Sequence, residues 1–104
     1  MEIREKFNGK IGSIVYIGVS GEIGRVVGSS ENSNPILGNT SLDIVFPKNS
    51  GSLIKKEGIP TMFVKMASYD DRHKYRQTMK RSLFRWDLGS KEFVPREDRK
   101  IGRR

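Results

Sequence analysis

The sequence predicts a mainly β fold with one helix: a small β-barrel carrying a basic helix and a further short segment at its C-terminal end. Three observations lead there. In the first two-thirds of the chain, short β-branched and aromatic runs recur between glycines and prolines. From Ser68 the pattern changes to an apolar residue at every fourth position. The chain has 104 residues, 35% of them hydrophobic and 31% charged, which suits one domain with a thin core.

Taken in order, Ser13-Ile14-Val15-Tyr16-Ile17 reads as a first strand bounded by Gly12 and Gly18. Gly24-Arg25-Val26-Val27-Gly28 reads as a second, and Leu42-Asp43-Ile44-Val45-Phe46, stopped by Pro47, as a third. Thr61-Met62-Phe63-Val64-Lys65-Met66, preceded by Pro60, reads as a fourth. The stretches from Ser29 to Pro35 and from Pro47 to Ser52 are rich in turn formers and read as exposed loops. Short glycine-punctuated strands favour a barrel or sandwich over a parallel sheet.

Ser68-Tyr69-Asp70-Asp71 places a serine three residues before an acid, the signature of a capping box, and puts two acids in a first helical turn. Tyr75, Met79 and Leu83 follow at four-residue spacing, which predicts a helix over 69–82. Beyond it, Leu83-Phe84-Arg85-Trp86-Asp87 and Glu92-Phe93-Val94 flank a four-residue Leu88-Gly89-Ser90-Lys91 link. That pattern fits a hairpin, the preferred reading, or an extension of the helix to Trp86. The domain is expected to span 1–94. Residues 95–104, with five Lys/Arg against two acids, read as a flexible basic tail.

The net charge is +8, and it is uneven: residues 1–67 carry eight Lys/Arg and six Asp/Glu, residues 68–104 twelve and six. A surplus this large biases a short chain toward polyanions. There is no cysteine, which excludes disulfides and thiol chemistry, and with one histidine no metal or other cofactor is expected. No apolar run reaches the length of a membrane span, and the N-terminus lacks a signal-peptide pattern. The expected location is cytoplasmic, including association with the nucleoid.

The stretch from Gly12 to Val27 concentrates glycines around a turn. Val15 and Ile17 fit a first strand, Gly18 and Gly21 the turn, and Gly24-Arg25-Val26 the restart. Over these roughly 16 residues the chain resembles a KOW motif. The resemblance implies an SH3-like barrel that binds RNA, duplex DNA, the ribosome or RNA polymerase. It also implies that the 18–24 turn approaches the partner, with Arg25 at its edge. A second resemblance is to small toxin endoribonucleases of the CcdB/MazF type, carried by Gly12-Ser13-Ile14-Val15, Gly21, Arg25 and Val26-Val27-Gly28-Ser29. This chain departs from that pattern in having Val26, not proline, after the arginine, and Glu22 directly after Gly21.

The remaining candidates lie in the C-terminal third. Arg72, Arg76 and Lys80 recur at helical spacing, with Arg81 and Arg85 beyond, so they can meet successive phosphates. Arginine suits bidentate phosphate contacts. Trp86, Phe84 and Tyr69 interleave with them; the reading favours these aromatics as core, with base stacking as the alternative. His73 has Asp70 three residues before it, but a lone histidine on a charged helix is weak evidence for a general base. The acid pairs Asp70-Asp71 and Glu97-Asp98 read as a cap and as a damper of the tail's charge.

The expected function is therefore a non-enzymatic nucleic-acid binder, DNA slightly ahead of RNA and largely sequence-independent, in a phage or bacterial regulatory setting. Its expected contacts are Arg25, Arg72, Arg76, Lys80, Arg81, Arg85 and Trp86. The alternatives are a module docking on RNA polymerase or the ribosome, and a small toxin-like endoribonuclease.

Overall fold

The computed structural model describes residues 3–31 and 40–96. It contains β1 (Ile14–Ile17), β2 (Ile23–Glu31), β3 (Thr40–Pro47), β4 (Leu53–Pro60), a 3-10 turn (Thr61–Phe63), β5 (Val64–Met66), α1 (Tyr69–Met79), β6 (Phe84–Asp87) and β7 (Glu92–Pro95). The first five strands form one sheet in the order β4-β3-β2-β1-β5, and β6 and β7 pair by themselves. Every ladder is antiparallel. The fold is thus mainly β with one helix, as expected. Closure into a barrel is not made: β4 and β5 are the two edges, and no ladder among the described residues joins them.

The sheet is nevertheless strongly curled, because its two edge strands are joined by three residues only. Four gaps between neighbouring strands would hold the edges of a flat sheet about 19 Å apart. The step from Pro60 to Val64 through a 3-10 turn spans about 8 Å. Two irregularities supply the bend. On β2, Val27 is extra between the pairs Val26↔Ile44 and Gly28↔Asp43. On β4 the chain advances three positions from Lys56 to Ile59 where β3 advances two from Leu42 to Ile44, with Gly58 at φ +73°. Both bulges flank Asp43, so the three strands bend at one level.

Alternation along the strands then divides the faces. Val15, Ile17, Val26, Leu42, Ile44, Phe46 and Val64 fill the concave side, and Phe7, Ile11, Ile59 and Met66 pack against them. Arg25 and Val45, opposite one another in the β2–β3 ladder, lie on the other face. There α1 contacts β2 and β3, burying Tyr75 and Met79.

Several expected boundaries shift. The anticipated strand from Thr61 to Met66 splits into the 3-10 turn and the short β5. The preceding segment, not anticipated as a strand, is β4, whose middle residues Lys55-Lys56-Glu57 are exposed because it is an edge. A strand with lysines in its middle and a bulge has no period-2 signal, and both features discourage edge-to-edge pairing. Of the loop expected from Ser29 to Pro35, the first three residues belong to β2, which continues to Glu31; its remainder falls in residues 32–39, outside those described.

The helix stops at Met79 rather than at residue 82. Arg81 and Ser82 donate to the carbonyls of Thr78 and Met79, a tightening that ends the turn. The Arg96 guanidinium then donates to the Met79 and Phe84 carbonyls, at 3.0 and 3.1 Å. Leu83, expected to continue the stripe of Tyr75 and Met79, is consequently left at the surface. The hairpin reading of 83–94 holds, with β6 and β7 separated by the expected four residues. Pro95, assigned to the tail, ends β7. Residues 97–104 lie outside those described. No helix among the described residues is long and apolar enough to cross a membrane.

Gly24 shows how tight the concave side is. A Cβ built there meets the Val45 carbonyl oxygen at 2.6 Å and Ile44 and Phe46 side-chain atoms at 2.8 Å. At Gly18 the nearest atom lies at 3.9 Å. Gly24→Ala should lower unfolding free energy by about 3 kcal/mol in urea denaturation, whereas Gly18→Ala should change it by less than about 1 kcal/mol. Equal effects would refute the packing account.

Candidate functional site

The turn from β1 to β2 is built as its glycines suggest. Gly21 donates to the Ile17 carbonyl, Ile17 donates to the Glu22 carbonyl, and Gly21 adopts φ +75°, where other residues are strained. Beside it the Glu22 carboxylate accepts from Lys56 at 3.1 Å and Lys48 at 3.4 Å. Partial burial pushes this carboxyl up, but the bonds from Lys56, Ser20 and Lys48 outweigh it and leave the group below its ordinary range. Two of the N-terminal region's lysines are therefore occupied with an acid of the same chain.

Arg25 does not project from that turn toward solvent. Its Nη1 donates to the Gly12 carbonyl at 2.7 Å and its Nε to the Tyr75 hydroxyl at 3.2 Å. The guanidinium lies 4.8 Å from the Trp86 ring centroid and 5.4 Å from that of Tyr75. Trp86 in turn meets Phe93 edge to face at 5.1 Å. This cluster joins sheet, helix and hairpin, and Arg25 and Trp86 are partly buried within it. Burial pushes the Tyr75 hydroxyl above its ordinary pKa, opposed in part by Arg25.

A second arginine, missed in the sequence, does the same on the N-terminal side. Arg4 forks onto Asp71 with bonds of 2.6 and 3.1 Å and stacks 3.5 Å from the Tyr16 ring centroid. Asp71 also completes the capping box: its backbone N–H donates to Ser68 Oγ, and its carboxylate accepts from the Ser68 N–H. The Arg4 bonds, with those from Ser68, hold this buried carboxyl below its ordinary range against the opposing effect of desolvation. Nothing in the local pattern around Arg4 marks it, since its partner lies 67 residues away.

The exposed residues of α1 are Tyr69 and Asp70 in its first turn, then His73, Lys74, Arg76 and Gln77, so past the first turn its exposed side is polar or cationic and carries no acid. Arg72 sits partly under cover and donates to the Ala67 carbonyl at 3.0 Å. Lys74, Arg76, Lys80 and Arg81 are exposed. Among the described residues Lys74, Arg76 and Arg81 form no ion pair. Lys74 and Arg81 border a depression of about 350 Å³ whose other walls are His73, Gln77, Thr78 and Asn49. Each of these side chains carries a hydrogen-bond donor in at least one state. Arg85 is exposed on β6 and reaches Asp87 at 3.4 Å. His73 is exposed and makes no hydrogen bond to Asp70. Among the described residues no group of carboxylates and histidine is placed to hold a metal ion.

Comparison with known proteins finds no family model, curated protein or solved structure that matches the chain.

Two substitutions check these assignments. Arg25→Ala should cost about 2 kcal/mol in thermal denaturation, and Arg25→Lys should not restore it, because an ammonium cannot bridge both partners while stacking. Full rescue by lysine would count against the account. The Asp71 carboxyl sits below the ordinary aspartate value of 3.8. Its contribution is therefore complete above that value and is lost as pH falls through the lower folded-state value. Asp71→Asn should cost about 2–3 kcal/mol at neutral pH and flatten the acid limb of a melting-temperature profile. A parallel profile would show that another group causes the acid loss.

Proposed function

We propose that this protein is a non-enzymatic, largely sequence-independent binder of nucleic acid. The observation that carries the reading is the exposed side of α1 and the turn after it. From Arg72 to Trp86 there are six Lys/Arg and no acid, and Lys74, Arg76 and Arg81 are exposed without an internal counter-charge. Unpaired cations on a rigid helix meet a phosphate backbone at little ordering cost and gain from counterion release. The proposed contacts are Lys74, Arg76, Lys80, Arg81 and Arg85. Arg25, Arg72 and Trp86 are left out of the set because each is partly buried and engaged within the chain, Arg25 with Gly12, Tyr75 and Trp86 and Arg72 with the Ala67 carbonyl. The 350 Å³ depression offers room and donors for a phosphate group.

The SH3-like barrel belongs to the same proposal. The short link between the edge strands and the paired bulges at Asp43 support a sheet curled most of the way round. Duplex DNA is preferred to RNA because the helix offers charge and no row of exposed aromatics for unstacked bases.

A second reading, docking on RNA polymerase or the ribosome, draws on an apolar recess beside the β1–β2 turn. Val19 there is 77% exposed, and Phe63, Pro60 and Ile59 form the wall. Recovery of polymerase or ribosome with the tagged chain after nuclease treatment would favour it.

The lead reading is tested by salt titration of binding to a labelled blunt duplex. Affinity should fall steeply with salt. Lys74→Gln, Arg76→Gln and Arg81→Gln together should reduce the slope by roughly 2–3. An unchanged slope would place the contact elsewhere, and absence of binding at low salt would remove the reading.

A further inference from the structure

The N-terminal segment adds itself to the β5 edge. Met66 donates to the Glu5 carbonyl at 2.7 Å, and Lys6 stands opposite Lys65 in an antiparallel bridge. Directly opposed residues share a face with Cβ atoms about 5 Å apart, and like charges so placed repel. On its other side Lys65 is opposite Tyr16, over which Arg4 lies. Arg4 is compensated by Asp71. Lys6 and Lys65 are both exposed, and among the described residues neither forms an ion pair. Folding thus brings two uncompensated positive charges side by side, an arrangement that an anion between them relieves.

The same lysines border a groove of about 620 Å³, within the size range of small-ligand pockets, about 300–1,000 Å³. Its wall combines apolar Phe7, Ile11 and Met62, the last 56% exposed, with polar Ser29 and Thr61, over a floor of buried Leu42 and Val64. A partly apolar wall with polar groups beside it and a doubly cationic rim suits a ligand that joins an anionic group to a flat ring with polar edges. Each residue of a single nucleic-acid strand has that form, a phosphodiester beside an unstacked base. A duplex does not, because its base faces are stacked inside and only its phosphates are offered.

We infer that this groove binds a nucleotide unit of single-stranded nucleic acid, with the phosphodiester between Lys6 and Lys65 and a base against Phe7 and Met62. The inference rests on the nucleic-acid reading above and adds to it a strand-selective contact apart from the cationic helix. Salt dependence at this site comes from the lysines, and affinity for an unpaired base from the wall.

The test uses the full chain, with fluorescence anisotropy on a labelled oligothymidine and on a labelled blunt duplex. Lys6→Gln with Lys65→Gln should weaken oligothymidine binding about tenfold and lower its salt slope by about 1.4, with duplex affinity unchanged within about twofold. Removing like charges should leave the melting temperature no lower than that of the parent chain, which separates lost contact from lost fold. Met62→Ala should weaken oligothymidine binding without changing the slope. Oligothymidine binding indifferent to the lysine pair, or equal losses on both probes, would overturn the inference and leave the helix reading standing. A parent chain that binds duplex but not oligothymidine would do the same. Binding to neither probe would overturn both.

Discussion

Three residues join the two edges of the five-stranded sheet, and much of the molecule follows from that tether. The edges of a flat sheet would be too far apart for it, so the strands must bend. The bend is placed where backbone regularity is given up, at the bulges on either side of Asp43. Bending produces a concave side narrow enough for seven buried apolar side chains to fill it. It also explains why a thin apolar content suffices: a curled sheet shields its own inner face.

The outer face is covered differently. Instead of a broad apolar contact, α1 is held by two arginines that each combine aromatic stacking with hydrogen bonds. Arg4 joins Tyr16 to Asp71, and Arg25 joins Gly12, Tyr75 and Trp86. A guanidinium suits this work because it is planar, weakly hydrated on its faces and able to donate in several directions. The helix end is closed by a third arginine, Arg96, on the Met79 carbonyl. The fold thus consumes part of the chain's positive charge internally.

This partition bears on function. Net charge describes the bias of the whole chain, but a partner meets only cations that have no internal task. Lys48 and Lys56 are held by Glu22, and Arg4 by Asp71. The unpaired exposed cations among the described residues include Lys74, Arg76 and Arg81 on the helix side and Lys6 and Lys65 beside the groove lined by Phe7 and Met62. One set has a polar setting and the other a partly apolar one, which is why two different contacts are proposed for them.

The sequence by itself determined the elements whose signals are local. The β-branched runs gave β1, β2 and β3, the Ser68 to Asp71 spacing gave the helix start, and the four-residue link gave the β6–β7 hairpin. Those signals are legible because propensity, capping and turn geometry act over a few residues. The sequence also placed the basic surplus in the C-terminal third, most of it after the helix, which itself holds three Lys/Arg against two Asp. Only the tertiary structure decided which arginines are free. Arg25 and Arg76 look alike along the chain, yet one is packed between rings contributed from far positions and the other faces solvent. Edge position decided that β4 would be a strand without an alternating pattern. The meeting of Lys6 with Lys65 was likewise a matter of register between distant segments, a pairing that neither segment's own residues encode.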